Sequence, residues 1–122
     1  MTEWPLVMLG GAVGALLRFE IGRQVAKKWR KAFPLGTFLI NLVGSFCLGL
    51  VFAYTHQQAP AWVYPLLGTG LLGGFTTFST FGVETVQLMQ KQRQALALLY
   101  VIASALLGLL GAWLGYTCYT TL

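Results

Sequence analysis

The sequence predicts an all-α membrane protein with four transmembrane helices, the third of them broken at mid-membrane. Three observations lead there. The 122 residues are 57% hydrophobic and only 9% charged, where a soluble domain carries about a quarter charged residues. The few charges are segregated, with no Asp, Glu, Lys or Arg between Lys31 and Glu84 and none after Arg93. Finally, the run Gly73-Gly74-Phe75-Thr76-Thr77-Phe78-Ser79-Thr80-Phe81 places residues of low helix propensity inside an apolar stretch. A span needs about 20 mainly apolar residues. The two charge-free intervals have room for three spans, and residues 4–25 supply a fourth, interrupted by Arg18, Glu20 and Arg23. Short connections leave residues 1–122 as a single four-helix domain.

Helix 1 is expected over 4–26. Its basic cluster follows the apolar run instead of preceding it, which favours a retained span over a signal peptide. Gly10 and Gly14 form a GxxxG pair that permits close helix approach. Arg18 follows one turn later on the same face, either turned to a water-filled vestibule or snorkelling to the interface. Glu20 is placed to pair with Arg23. The first connection carries Lys27, Lys28, Arg30 and Lys31 and closes on Pro34-Leu35-Gly36.

Helix 2, over 35–55, aligns Thr37, Asn41 and Ser45 on one face. An amide in mid-span is costly unless it meets another polar group. Asn41 therefore either bonds another helix or donates to a polar path. The second connection, His56-Gln57-Gln58-Ala59-Pro60, has no formal charge and places His56 in a loop.

Helix 3, over 62–90, carries Gly68, Gly70, Gly73 and Gly74 ahead of the Thr/Ser/Phe run. Gly-Gly with Thr-Thr at this depth invites a break, and unwound backbone is tolerated there only where it is buried or lines a cavity. Freed carbonyls at a break suit a small cation. Phe78 and Phe81 share a face, with Glu84 a turn further, and electropositive ring edges can face an anion without holding it tightly. Taken singly, each Phe is simply a core or lipid-facing residue. Helix 4, over 95–120, sets Tyr100, Ser104 and Gly108 on one face and adds a GxxxG pair at Gly111 and Gly115. Its hydroxyls are either partners for Asn41 or part of a polar track.

With four spans, the first and third connections share a side. Arg23, Lys27, Lys28, Arg30, Lys31, Lys91 and Arg93 all lie there, and the opposite side has no Lys or Arg. The positive-inside rule places those connections in the cytoplasm and both termini outside. This topological role explains the net charge of +5 better than nucleic-acid binding does. Trp4, Trp29, Trp62, Tyr64, Tyr116 and Tyr119 fall near helix ends, at headgroup level. Cys47 and Cys118 read as buried small residues. There is no Walker A motif, zinc-ligand spacing or carboxylate pair, so the chain reads as no enzyme.

With these residues in place, the chain resembles the Fluc/CrcB family of small fluoride channels. The likeness is carried by 10–18 (Gly-Gly-Ala-Val-Gly-Ala-Leu-Leu-Arg), Gly36-Thr37 with Asn41 and Gly44-Ser45-Phe46, the 73–81 run with Glu84, and the Tyr100/Ser104 pair. It implies antiparallel dimers of four-helix subunits in the bacterial cell (inner) membrane, with two narrow pores for passive fluoride export that reduces fluoride toxicity. It implies that Asn41 hydrogen-bonds the ion and that Phe78 and Phe81 line the pore, with Thr80 beside them. Tyr100 and Ser104 would belong to a hydroxyl track, and Arg18 would draw anions into the vestibule. The main-chain carbonyls of Gly73 and Thr76 from both subunits would hold one structural sodium ion.

Two positions depart from the family pattern. Gly108 stands where the family's hydroxyl track often continues with Ser. The one-sided Lys/Arg distribution also differs from the near balance of chains that insert in both orientations, and it predicts an oppositely oriented paralogue as partner, with the homodimer as alternative. A small multidrug-resistance-type proton antiporter, also an antiparallel four-helix dimer, would need a carboxylate in helix 1, and the segment from Val7 to Leu17 has none. A non-transporting membrane scaffold leaves Asn41 and the break unexplained.

Overall fold

The computed structural model describes residues 3–57 and 59–122. Met1 and Thr2 of the expected domain and Gln58 of the second connection lie outside the described residues. Helix α1 covers Trp4–Lys28 and α2 covers Leu35–His56. The third span begins as a π-helix, Tyr64–Leu72, which runs directly into a short α-helical turn, Gly73–Phe75; together these form α3. After a break come α4, Ser79–Gln90, and α5, Gln94–Thr121. Four stretches are long and apolar enough to cross a membrane: Trp4–Lys28, Leu35–His56, Tyr64–Gln90 and Gln94–Thr121. The described residues contain no strand, as expected for lipid-embedded backbone that must satisfy its own polar groups.

Local chemistry sets the ends of these elements. Pro5 and Pro65 sit in the first turns of α1 and α3, where a missing N–H is harmless. Lys27 and Lys28 occupy the last turn of α1, against the negative end of its dipole. The first connection is tied by Trp29 Nε1, which donates to the Phe33 carbonyl at 2.8 Å, and Lys31 Nζ lies 5.4 Å from the Trp29 ring centre. Between α4 and α5 the chain reverses through Gln92, at φ 62°. The amides of Lys91, Gln92 and Arg93 fold back onto the carbonyls of Gln87, Met89 and Leu88.

The helices pack mainly as two pairs, α1 with α3 and α2 with α5. Glycine makes both contacts possible. A Cβ on Gly14 would run into the Leu71 and Phe75 backbone, and one on Gly74 into the Gly11 backbone. Gly49 and Gly115 do the same between α2 and α5, against Ala112 and Phe46. The GxxxG glycines thus act through close packing. In lipid no hydrophobic drive pulls helices together, so such backbone proximity is what dispersion contacts require. Helix α4 rests chiefly on α5, over a cluster of Leu88, Ala97 and Tyr100 flanked by Phe33, Phe38, Phe81 and Leu96.

Three sequence expectations are corrected. Gly73 is helical, at φ −62° and ψ −38°, and Gly74 lies within the same turn, so the break does not start at the glycines; Gly74 instead allows the close approach of α1, while Gly73 faces open space. The backbone first becomes extended at Thr76, at φ −81° and ψ 161°. His56 is the last residue of α2, its ring 4.9 Å from that of Phe52, not part of a loop. Cys118 is exposed and Cys47 half-buried, because both lie on helix faces that this subunit does not cover.

Candidate functional site

The break between α3 and α4 is held open by side chains from two other helices. Asn41 Nδ2 donates to the Thr77 carbonyl, and the Thr77 amide donates to Asn41 Oδ1, both at 2.9 Å. Each such bond contributes about 0.5–1.5 kcal/mol net, and leaving its buried partner unsatisfied costs about 1–3 kcal/mol. Arg18 Nε donates to the Gly74 carbonyl at 3.1 Å. The Thr80 amide donates to Thr77 Oγ1 at 3.1 Å, which starts α4. In a continuous helix the Thr77 amide would serve the Gly73 carbonyl and the Thr80 amide the Thr76 carbonyl. Both donors are engaged elsewhere, so these two carbonyls are released from the helical ladder. Gly44 makes room on α2, because a Cβ there would overlap Thr76 Cγ2.

The break divides two clefts. The first, of about 680 Å³, is a vestibule lined by Arg18, Lys31, Thr37, Thr77, Thr80 and Glu84 among others. The second, of about 540 Å³, is an inner cleft lined by Asn41, Ser45, Thr77, Phe78, Phe81 and Ser104, together with Gly73, Thr76 and Tyr64. Among the described residues, no Asp, Glu, Lys, Arg or His appears in the inner lining, and Thr77 alone lines both clefts.

Most of the predicted residues therefore converge. Asn41, Phe78, Phe81, Ser104, Gly73 and Thr76 line the inner cleft, while Arg18 and Thr80 line the vestibule. Phe78 and Phe81 stand 6.0 Å apart between ring centres, and Phe78 is 83% exposed on the face of the subunit. Tyr100 lines neither cleft. Fully buried, it donates its hydroxyl to Glu84 Oε1 at 3.0 Å and packs its ring against Phe81 at 4.9 Å and Phe33 at 5.5 Å. Ser104 Oγ is buried without a hydrogen-bond partner. A buried polar atom of this kind calls for a ligand, a water or an ion. Neither hydroxyl bonds Asn41. Glu20 and Arg23 pair on the exposed face of α1 at 2.7 Å.

Sequence reasoning missed the roles of Thr77 and Glu84. Asn41 signalled that a polar partner was needed but not which one, and nothing in the spacing links Glu84 on α4 to Tyr100 on α5.

Fold and site define the class: a multi-pass, all-helical membrane protein whose broken third span separates a charged vestibule from an uncharged cleft. The chain belongs to the CrcB family. The family pattern described as "CrcB-like protein, Camphor Resistance (CrcB)" matches residues 5–116. Among similar proteins, "Fluoride-specific ion channel FluC 1" of Bacillus cereus is 46% identical over 114 residues, covering 92% of this chain and 83% of that one. "Fluoride-specific ion channel FluC 2" of Moorella thermoacetica is 45% identical, covering 93% of each. "Fluoride-specific ion channel FluC" of Magnetococcus marinus is 47% identical, covering 89% of this chain and 90% of its own.

Proposed function

We propose that this chain is one subunit of a fluoride channel through which cytoplasmic fluoride leaves a bacterial cell passively. The observation that carries this reading is the shared wall at Thr77, with a vestibule bearing Arg18 and Lys31 on one side and a cleft without formal charge on the other. The cationic vestibule raises the local anion concentration. Beyond it, a small, strongly hydrated anion exchanges water for the hydroxyls of Thr77 and Thr80, the second N–H of Asn41, the ring edges of Phe78 and Phe81 and the orphan Ser104 hydroxyl. None of these is a cation, so no step traps the ion, as conduction requires. The names of the relatives support fluoride as the anion.

The active species is an antiparallel dimer, in which a second subunit covers the exposed Phe78 face. The released carbonyls of Gly73 and Thr76 are hard oxygen donors of the kind sodium takes, and with their counterparts in the partner they would hold one structural sodium ion, which would offset the partial negative charge of the freed carbonyls. The cytoplasmic side carries the first and third connections. Because the Lys/Arg bias is one-sided, the partner is an oppositely oriented paralogue. Similar proteins named FluC 1 and FluC 2 occur in one Bacillus cereus strain, which supports such pairing.

Fluoride efflux from liposomes, read with a fluoride electrode, tests the function. The chain is reconstituted alone and with an oppositely biased homologue encoded beside it. Efflux is expected in the paired sample; silence in both samples rejects the channel. A C-terminal tag found on both membrane sides in equal measure rejects the heterodimer in favour of a homodimer.

A further inference from the structure

Helices α2 and α5 run side by side in the same direction across the membrane, and their polar faces are in register. A Cβ on Gly108 would stand 3.5 Å from Ser45 Oγ, so Gly108 of α5 lies opposite Ser45 of α2. One helical turn back, Ser104 lies opposite Asn41, and both line the inner cleft. A further turn back, Tyr100 lies opposite Thr37, whose side chain sits beside the Tyr100 hydroxyl. At the first two levels both helices offer polar groups. At the third level α5 offers only hydrogen, and the one side-chain polar group is the Ser45 hydroxyl, which lines the cleft.

Four residues advance a helix by about 6 Å. An anion leaving Ser104 and Asn41 would therefore cross about 6 Å of wall lined by the apolar Ala105 and Leu48, unless a donor stands at the next level. Stripping such an ion of water without a replacement donor is costly. We propose that Ser45 is that donor: the hydroxyl track switches from α5 to α2 at Gly108, whose missing side chain leaves the Ser45 hydroxyl room to face the ion. Ser45 is then a rate-determining pore residue of the inner half. The inference rests on the fluoride-channel reading.

The test is fluoride efflux from liposomes into which the protein, with its partner where one is needed, has been reconstituted. Ser45→Ala is expected to slow efflux at least tenfold. Adding Gly108→Ser to that variant returns a hydroxyl to the same level from α5 and is expected to restore the rate to within about threefold of the parent. Parental efflux in Ser45→Ala, or a loss that Gly108→Ser leaves untouched in well-folded protein, overturns the proposal while the channel reading stands. An unmodified protein that passes no fluoride removes both. Should Ser45→Ala not elute as a single dimeric species, Ser45→Thr and Ser45→Val decide the matter. They have nearly the same shape and differ in the hydroxyl, so a slow Val variant beside a fast Thr variant upholds the proposal, and equal rates overturn it.

Discussion

The two clefts on either side of Thr77 are similar in size and opposite in chemistry. The vestibule carries Arg18, Lys31 and Glu84, while the inner cleft has aromatic edges, an amide and two serines. Charge suits a wide, wet approach, where it gathers anions at little desolvation cost. In a narrow, dry passage the same charge would bind too firmly. The division falls at the point where backbone leaves the helix, so the transition from one regime to the other is only a few residues long. Asn41 and Arg18 fix this boundary from opposite sides, one by clamping Thr77 and the other by holding the Gly74 carbonyl.

The largest effect is expected from moving a charge into the neutral cleft. Asn41→Asp replaces an amide by a carboxylate, removes the donation to Thr77 and should lower efflux at least a hundredfold in the electrode assay; parental flux would remove Asn41 from the pore. A different break in the comparison comes from pushing the wall itself. In Gly14→Val the added side chain meets the Leu71 and Phe75 backbone, which cannot yield as a flexible side chain does. Overpacking of this kind costs about 1–3 kcal/mol, so a lower thermal midpoint in detergent and loss of the single elution peak are expected. The smallest effect belongs to the vestibule. Arg18→Gln should slow efflux severalfold at low ionic strength. The deficit should shrink as salt shortens the Debye length from its value of about 10 Å at 0.1 M. Because Arg18 also holds Gly74, Arg18→Lys separates the roles: a rate that follows charge alone identifies steering, and one that falls equally in both variants identifies the hydrogen bond.

The sequence made the four spans legible because hydropathy and charge segregation act along the chain and need no tertiary knowledge. It also located the break within the Gly-Gly/Thr-Thr run, where the threonines leave the helix and the glycines do not. Gly73 and Gly74 look like helix breakers in isolation, yet both are helical, and at Gly74 the close approach of α1 leaves no room for a larger side chain. The helix stops after Phe75 and the backbone becomes extended at Thr76; Asn41, distant in sequence, holds the opening by taking the next amide, that of Thr77. The contacts of Arg18 with Gly74 and of Glu84 with Tyr100 were likewise beyond reading, since each joins residues whose spacing follows no helical period. The exposed Cys118 was misjudged for a related reason: composition says that a residue is apolar, not which neighbour covers it.

The released carbonyls also bear on the life of the chain before it is assembled. Backbone oxygens without donors are costly at membrane depth, by several kcal/mol each in hydrocarbon. A newly inserted subunit is therefore an unfinished object, with one face at odds with the lipid around it. Whatever satisfies that face, whether water entering from the vestibule, a cation or another chain, lowers its free energy. On the proposed channel reading, the irregularity that shapes a passage for ions also makes solitary residence in the bilayer unfavourable, and the membrane itself then favours assembled protein.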